Sequence, residues 1–304
     1  MCAPRALLVL AGQMNPRPFE YHAPTTLKEA VSLLRRYRGE AKLLAGGQSL
    51  IPLMKLRIAA PAHLIDLNRV GSLAYIKKED GHIAIGPLTR MADLEASQDL
   101  RRWCPIIPEC ATSIADPLVR NLGTIGGNVS HADPANDMPA VMVATGAELV
   151  AAGPGGTRGI AAEEFFLDTF TTALKEDELL AELRIPVARY ADGAYAKLER
   201  QAGDFGIVGV AASVRLSGDG RCAGCGIGLT GAGPTVVKAR KAEVALVGSK
   251  GDPGTVERAS ALASEESSPV ADLRGSEEYK REMVKVMTKR ALSSAVKRAR
   301  SRLP

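Results

Sequence analysis

Between Thr26 and Gly39 the apolar positions fall at Ala30, Val31, Leu33 and Leu34, the stripe of an amphipathic helix. Thr26 followed by Glu29 is a capping box, so the pattern predicts a helix over 27–38. Lys42–Ala45 and His63–Leu67 predict short strands, with Leu50–Arg57 a short helix between them. Gly81–Gly86 predicts a further strand and Met91–Ser97 a further helix. Asp133 before Pro134 is an N-cap followed by an N1 proline; the apolar run from there to Ala144 predicts a helix ended by Gly146. Ala147–Ala151 and Leu179–Ile185 predict strands, with a turn at Gly153–Gly156.

The pattern then changes. Tyr195–Arg200, Phe205–Leu216 and Cys225–Leu229 predict three successive strands, followed by helices at Thr235–Val247 and Val256–Ser264. Ser264–Pro269 predicts a surface loop, and Ser276–Arg300 one long helix or a broken pair. Strands and helices are not arranged as repeating βαβα units, which makes the fold class α+β, with a domain boundary near 187–193. At 304 residues, two or three domains are expected. A composition 46% hydrophobic and 24% charged argues against disorder and against a small disulfide scaffold.

Charge changes the picture at one place. From Lys280 onward nine Lys or Arg face one acid, Glu282, so the tail carries the whole net excess of +5 and more. The plain reading is a solvated helix face; docking on an acidic partner subunit is the alternative. Nucleic-acid binding lacks a reading element and interleaved aromatics, and no nucleic-acid partner is expected. Five scattered cysteines are not a disulfide framework. Cys222 and Cys225 have CxxC spacing, but no second pair completes a metal site, and they are expected in a glycine-rich turn as structural or incidental thiols. Ala6–Ala11 is a weak apolar run with a poor cleavage context, no stretch reaches transmembrane length, and a cytoplasmic protein is expected.

Two glycine-centred segments carry the candidate chemistry: Ala45-Gly46-Gly47-Gln48-Ser49-Leu50 and Thr124-Ile125-Gly126-Gly127-Asn128. Paired glycines permit positive φ and close approach of backbone to a ligand, and successive amides can cradle a phosphate. Ser49, Thr124 and Asn128 offer further hydrogen bonds. Neither segment is GxGxxG or GxxxxGK[ST], and each alone reads first as a plain turn. Together they are compatible with two halves of one pyrophosphate clamp.

With these residues in view, the chain resembles the medium, FAD-binding subunit of molybdenum hydroxylases of the carbon monoxide dehydrogenase and xanthine dehydrogenase family, from about Pro18 to about Arg298. The resemblance rests on Pro18-Phe19-Glu20-Tyr21, on AGGQSLIP at Ala45–Pro52, on DPLVRNLGTIGGNVSHADPAND at Asp116–Asp137 and on YAKLERQAGDFGIV at Tyr195–Val208. It implies an N-terminal extension over 1–15 and a two-subdomain FAD-binding unit of the vanillyl-alcohol oxidase/PCMH type over 16–190, divided near 72. An α+β C-terminal domain of the CO dehydrogenase flavoprotein type would occupy 191–300. The cofactor-binding set it implies is Leu43, Leu44, Ala45, Gly46, Gly47, Gln48, Ser49, Leu50, Ile114, Thr124, Ile125, Gly126, Gly127, Asn128, His131, Asp137, Leu180, Tyr195 and Lys197, with no catalytic or metal-ligating residue.

Within that set the glycine segments would hold the pyrophosphate and ribityl region. Asp137 would bind cofactor hydroxyls or nearby polar groups, or else serve as a helix-start carboxylate. His131 would be a polar residue behind the contacts, and Leu180 would touch the cofactor from its strand. Tyr195 and Lys197, on one strand face, would lie near the isoalloxazine, Tyr195 against the ring and Lys197 as a positive charge for reduced flavin; the alternative is an exposed face with a snorkelling lysine. Gln201 departs from the Arg or Lys of many members.

No cysteine set suits [2Fe–2S] clusters and no molybdopterin motif is present. The expected function is therefore electron transfer by FAD within a complex. A large partner would hold molybdenum and oxidise carbon monoxide, an aldehyde or an N-heterocycle. A small [2Fe–2S] subunit would relay electrons, an external acceptor would receive them, and the assembly would be a dimer of heterotrimers. A free-standing FAD oxidoreductase and a non-enzymatic assembly subunit are the alternatives.

Overall fold

The computed structural model describes residues 15–187 and 192–303. The expected extension, apart from Asn15, and most of the expected boundary near 187–193 lie outside the described residues.

The first unit is a three-stranded parallel sheet. His63–Asp66 is its central strand, flanked by Glu20–His22 and Ala41–Leu44. Helix Leu27–Arg36 buries Ala30 and Leu34 beneath it. Thr26 caps that helix by accepting from the Glu29 amide at 3.2 Å, as the sequence predicts. Glu29 returns its carboxylate to the Thr25 amide at 2.8 Å, one residue earlier than a standard capping box.

The second unit is a five-stranded antiparallel sheet in the order Ile76–Glu79, His82–Ile85, Leu179–Pro186, Glu148–Gly153, Gly156–Ala161. The last two form a hairpin at the turn expected over Gly153–Gly156. Short helices follow at Met91–Ala96, Gln98–Trp103, Ile106–Thr112, Pro117–Leu122 and Ile125–His131, the last of them packed on strand Leu179–Pro186. Only the first of these was legible in the sequence. All five are only six or seven residues long, at the limit of what a period can mark. The core between sheet and helices is built on Ile83, Ile85, Leu94, Ile107, Val129, Met142 and Leu183.

The third unit is a four-stranded antiparallel sheet: Asp192–Leu198, Val208–Leu216, Cys222–Thr230, Val237–Lys238. Helices Pro253–Glu266 and Glu277–Ser301 pack together, and the latter lies on the two leading strands. Ser276–Arg300 is thus one helix, not a broken pair, with Ser276 accepting from the Tyr279 amide. Several cations of this basic helix and its end bind this chain's own acceptors. Lys280 meets Asp272 at 2.8 Å, Arg298 chelates Glu109 and the Gly193 carbonyl, and Arg302 meets Asp192 at 2.8 Å.

Helix Met138–Thr145 joins the second and third units. All eight of its residues are buried, against the first core on one side and strands Val208–Leu216 and Cys222–Thr230 on the other. This corrects the sequence expectation of a helix starting at Asp133-Pro134. Those residues form a turn closed by the Asn136 amide donating to the Asp133 carbonyl, and the helix begins four residues later. A helix walled on both sides carries no amphipathic stripe to mark its start. Two further expectations are corrected. Cys222 and Cys225 lie inside a nine-residue strand, buried and free, rather than in a turn. The helix expected over Thr235–Val247 is a two-residue strand followed by helix Arg240–Leu246.

Candidate functional site

The first glycine segment leaves strand Ala41–Leu44 and enters helix Leu50–Lys55, so it sits at the end of a parallel strand. Leu43 and Leu44 pair with Ile65 and Asp66 and are half-buried. Gly47 has φ +72, a conformation that side chains other than hydrogen resist. Among the described residues, the amides of Gly46, Gly47, Gln48 and Ser49 donate to no protein acceptor, while the Gly47 and Ser49 carbonyls receive the Ile51 and Leu53 amides. Four successive unspent donors form a ready cradle for an anionic or strongly accepting group.

The second segment is built differently. Expected as a turn, it is the start of helix Ile125–His131, capped by Thr124, whose hydroxyl accepts from the Gly127 amide at 3.1 Å. Its amides are committed: Ile125 to the Thr89 carbonyl at 3.0 Å, Gly126 to Pro87 at 2.8 Å, Asn128 to Thr124 at 3.0 Å. Neither Gly126 nor Gly127 has positive φ. Gly126 is required by packing, since a Cβ there would lie 2.4 Å from Pro87 Cβ and 2.6 Å from its carbonyl oxygen.

The two segments meet. A Cβ on Gly46 would lie 2.2 Å from the Leu122 carbonyl oxygen and 2.8 Å from Gly123 Cα. Arg90 stitches them from outside. It donates to the Leu122 carbonyl and, at 2.6 Å, to Asn68 Oδ1, while Asn68 Nδ2 donates to the Ala45 carbonyl at 2.9 Å. Asp66 holds Asn68 through its backbone amide at 2.9 Å and is itself bonded by the Tyr21 hydroxyl at 2.6 Å. Sequence reasoning missed Asp66, Asn68 and Arg90. Asp-x-Asn after a strand is a legible local turn signal, whereas Arg90 carries none.

Deeper in, Asn128 places its carbonyl at 2.8 Å from Asn136 Nδ2, next to Asp137 in sequence. Asn128 Oδ1 is buried without a hydrogen-bond partner among the described residues. An orphaned buried acceptor on one glycine segment and free amides on the other, which packs against its entry, fit a ligand carrying hydroxyl donors as well as phosphate oxygens, which FAD is.

Asp137 precedes helix Met138–Thr145 but makes no side-chain cap bond. Its carboxylate, 4% exposed, accepts from the Tyr195 hydroxyl at 2.5 Å and Lys197 Nζ at 3.4 Å. Lys197 also donates to the Ser113 carbonyl at 2.9 Å and pairs with Glu199 at 3.3 Å. Tyr195 and Lys197 share a strand face, as alternation requires, and that face is buried rather than exposed. Burial pushes the Asp137 carboxyl above its usual range, against the Lys197 charge and the Tyr195 bond. Burial, then the Asp137 charge, pushes the Tyr195 phenol well up. Ser113 and Glu199 complete this cluster and were not foreseen.

The remaining members of the set stand apart from these polar clusters. Ile114 is buried beside Ser113, and its carbonyl accepts from Arg120. Leu180 is buried in the middle strand of the five-stranded sheet, against which helix Ile125–His131 packs. His131 ends that helix with its ring 5.0 Å from Phe170, and burial lowers its pKa. Gln201 is exposed in the turn after strand Asp192–Leu198.

Two family models match the chain: the FAD binding domain in molybdopterin dehydrogenase over residues 17–188, and the CO dehydrogenase flavoprotein C-terminal domain over 193–295. The carbon monoxide dehydrogenase medium chain of Hydrogenophaga pseudoflava is 43% identical over 93% of this chain and 98% of its own. That of Afipia carboxidovorans is 42% identical over 95% and 100%. The solved carbon monoxide dehydrogenase from Hydrogenophaga pseudoflava that lacks the Mo-pyranopterin moiety superposes with TM-score 0.90 at 44% identity, over 94% of this chain and 99% of that one. The expected architecture, an FAD-binding unit followed by a flavoprotein C-terminal domain, therefore holds.

Proposed function

The chain belongs to the family of FAD-binding medium subunits of carbon monoxide and xanthine dehydrogenases, the electron-transfer flavoprotein component of a multi-subunit oxidoreductase, and on that premise we propose how its residues serve the cofactor. The Gly46–Ser49 amides hold the pyrophosphate, and Thr124–Asn128 supplies the facing wall. Asn128 Oδ1 accepts from a cofactor hydroxyl. Leu43, Leu44, Ala45, Leu50, Ile114, His131 and Leu180 line or back the same cleft. The observation that carries this reading is the run of four unspent amides at Gly46–Ser49, packed through Gly46 on Leu122 and Gly123, together with the orphan acceptor Asn128 Oδ1 on the second segment.

When bound, FAD supplies a two-electron acceptor that also exchanges single electrons. Tyr195 and Lys197 tune that site through Asp137. Lys197 brings a buried positive charge, and the Tyr195–Asp137 bond fixes the carboxylate that balances it. None of these residues is positioned to attack an organic substrate.

Substrate oxidation accordingly belongs to a large molybdenum-cofactor partner, with a small [2Fe–2S] partner delivering electrons and an external acceptor removing them. A dimer of heterotrimers is the proposed assembly. The two medium chains named above favour carbon monoxide as the substrate of the complex. No described helix is long and apolar enough to cross a membrane, and a cytoplasmic location is proposed with four described cysteines unpaired.

The test is co-expression with the neighbouring reading frames, followed by tagged pull-down with flavin and metal analysis. One FAD per chain with molybdenum and iron on co-purifying subunits is expected. A folded chain that stays colourless with FAD and its partners overturns the reading. Turnover of an organic donor by the isolated chain would instead support a free-standing oxidoreductase.

A further inference from the structure

Away from the cofactor cleft, at the open edge of the parallel sheet, two of the chain's four histidines converge. Glu20 and His22 are two apart on edge strand Glu20–His22 and so share one face, and Glu20 is the register partner of His63 on the central strand. His22 Nε2 lies 3.2 Å from His63 Nδ1, while Glu20 Oε2 lies 3.3 Å from the latter and 3.9 Å from the former. Ligands about 2 Å from a tetrahedral Zn²⁺ stand about 3.3 Å from one another. Separations of this size leave a point about 2 Å from all three atoms at once.

Three further features support a cation there. The Tyr37 ring stacks on His63 at 3.7 Å between centroids and fixes its plane. The other nitrogen of His63 faces the Glu40 carboxylate at 3.9 Å, the outer carboxylate that metal-bound imidazoles commonly have. Glu20 is 70% exposed, and His22 borders an open groove with Pro24 and Thr26, so ion and water have a way in. The donor set of two imidazoles and one carboxylate suits a borderline cation, with water as fourth ligand.

We propose that Glu20, His22 and His63 bind a divalent transition ion of the Zn²⁺ class, fastening edge strand Glu20–His22 to the sheet that carries the first glycine loop. This site goes beyond the sequence reading, which named no metal ligand on this chain. No sequence spacing announces the site, because the ligands meet only through strand pairing 41 residues apart.

The full chain, freed of any affinity tag and stripped with chelator, is titrated with Zn²⁺ and with Co²⁺. One high-affinity equivalent is expected, and Co²⁺ should give visible ligand-field bands without a thiolate charge-transfer band. His22→Asn, on the edge strand, should lower affinity at least about tenfold and abolish those bands. Glu20→Gln, at an exposed position, should weaken binding severalfold and decides the matter if His22→Asn misfolds. Uptake no greater than that of a His22→Asn/His63→Asn double variant would overturn the proposal, the two rings then sharing only a hydrogen bond. So would affinity unchanged by Glu20→Gln and His22→Asn, or a thiolate band that places the ion at Cys222 and Cys225.

Discussion

Gly46–Ser49 and Thr124–Asn128 each carry a Gly-Gly pair flanked by hydroxyl or amide side chains, yet their backbones do opposite things. In the first, four amides are unspent and one glycine sits at φ +72. In the second, the amides close a helix and a bridge to Pro87 and Thr89, and the glycines have ordinary φ. Gly47 is glycine for the shape of its own loop, whereas Gly46 is glycine because Leu122 and Gly123 lie against it, and Gly126 because Pro87 leaves no room. Paired glycines thus mark a close approach, but the neighbour approached can be a ligand or the protein's own chain.

The sharpest way to break this comparison is Gly126→Val. Its side chain would meet backbone and ring of Pro87, so loss of about 3 kcal/mol of stability is expected before any cofactor is added. Thermal unfolding of the flavin-free chain reads this directly. Full stability with flavin binding alone abolished would show that Gly126 faces the ligand.

Lys197→Met tests the deeper cluster. Removing the cation from a buried pair should cost about 3 kcal/mol at neutral pH and shift the flavin reduction potential. Burial holds the Asp137 pKa above its ordinary value, so a proton binds this carboxyl more tightly in the folded than in the unfolded chain. Stability from that preference is present at low pH and lost as pH rises through the folded pKa. The variant raises that pKa further, so its deficit should shrink as pH falls. Denaturant titrations at several pH values check this; a deficit independent of pH would remove Asp137 from the explanation.

Gly47→Ala should behave unlike Gly126→Val. Its Cβ meets the ends of two flexible side chains, Ile51 at 2.6 Å and Leu44 at 3.2 Å, and the positive φ costs about 1 kcal/mol. FAD affinity should fall about tenfold while the fold persists, as read by flavin titration with circular dichroism. Unchanged affinity would mean that the loop's amides do not hold the cofactor.

Asn128→Ala should give the smallest and most diagnostic effect. Deleting an orphaned buried acceptor should leave the flavin-free chain as stable or up to about 1 kcal/mol more stable, yet weaken FAD binding. Opposite signs in melting and binding are the expected signature. Lower stability without flavin would show that Oδ1 has a protein or water partner instead.

The cleft was partly readable in advance. Thr26, Gly146 and the Gly153–Gly156 hairpin act locally, so their sequence signals and structures agree. Tyr195 and Lys197 were correctly placed on one strand face, because alternation is a property of the strand itself. Asp137 as their shared partner, 58 and 60 residues away, has no local signature. The same holds for Arg90 reaching both Leu122 and Asn68, and for Glu20, His22 and His63 meeting at a sheet edge.

By itself the amino-acid sequence determined the α+β class, the two glycine segments and, through long motifs, the family. These depend on residue order within a few turns of chain, where period, caps and turn residues act. Tertiary structure alone decided which amides stay free, why Gly126 must be glycine, and that helix Met138–Thr145 is walled on both sides. Those outcomes depend on which distant backbone comes to lie alongside, and apolar burial, which drives that assembly, carries no record of the partner in either segment.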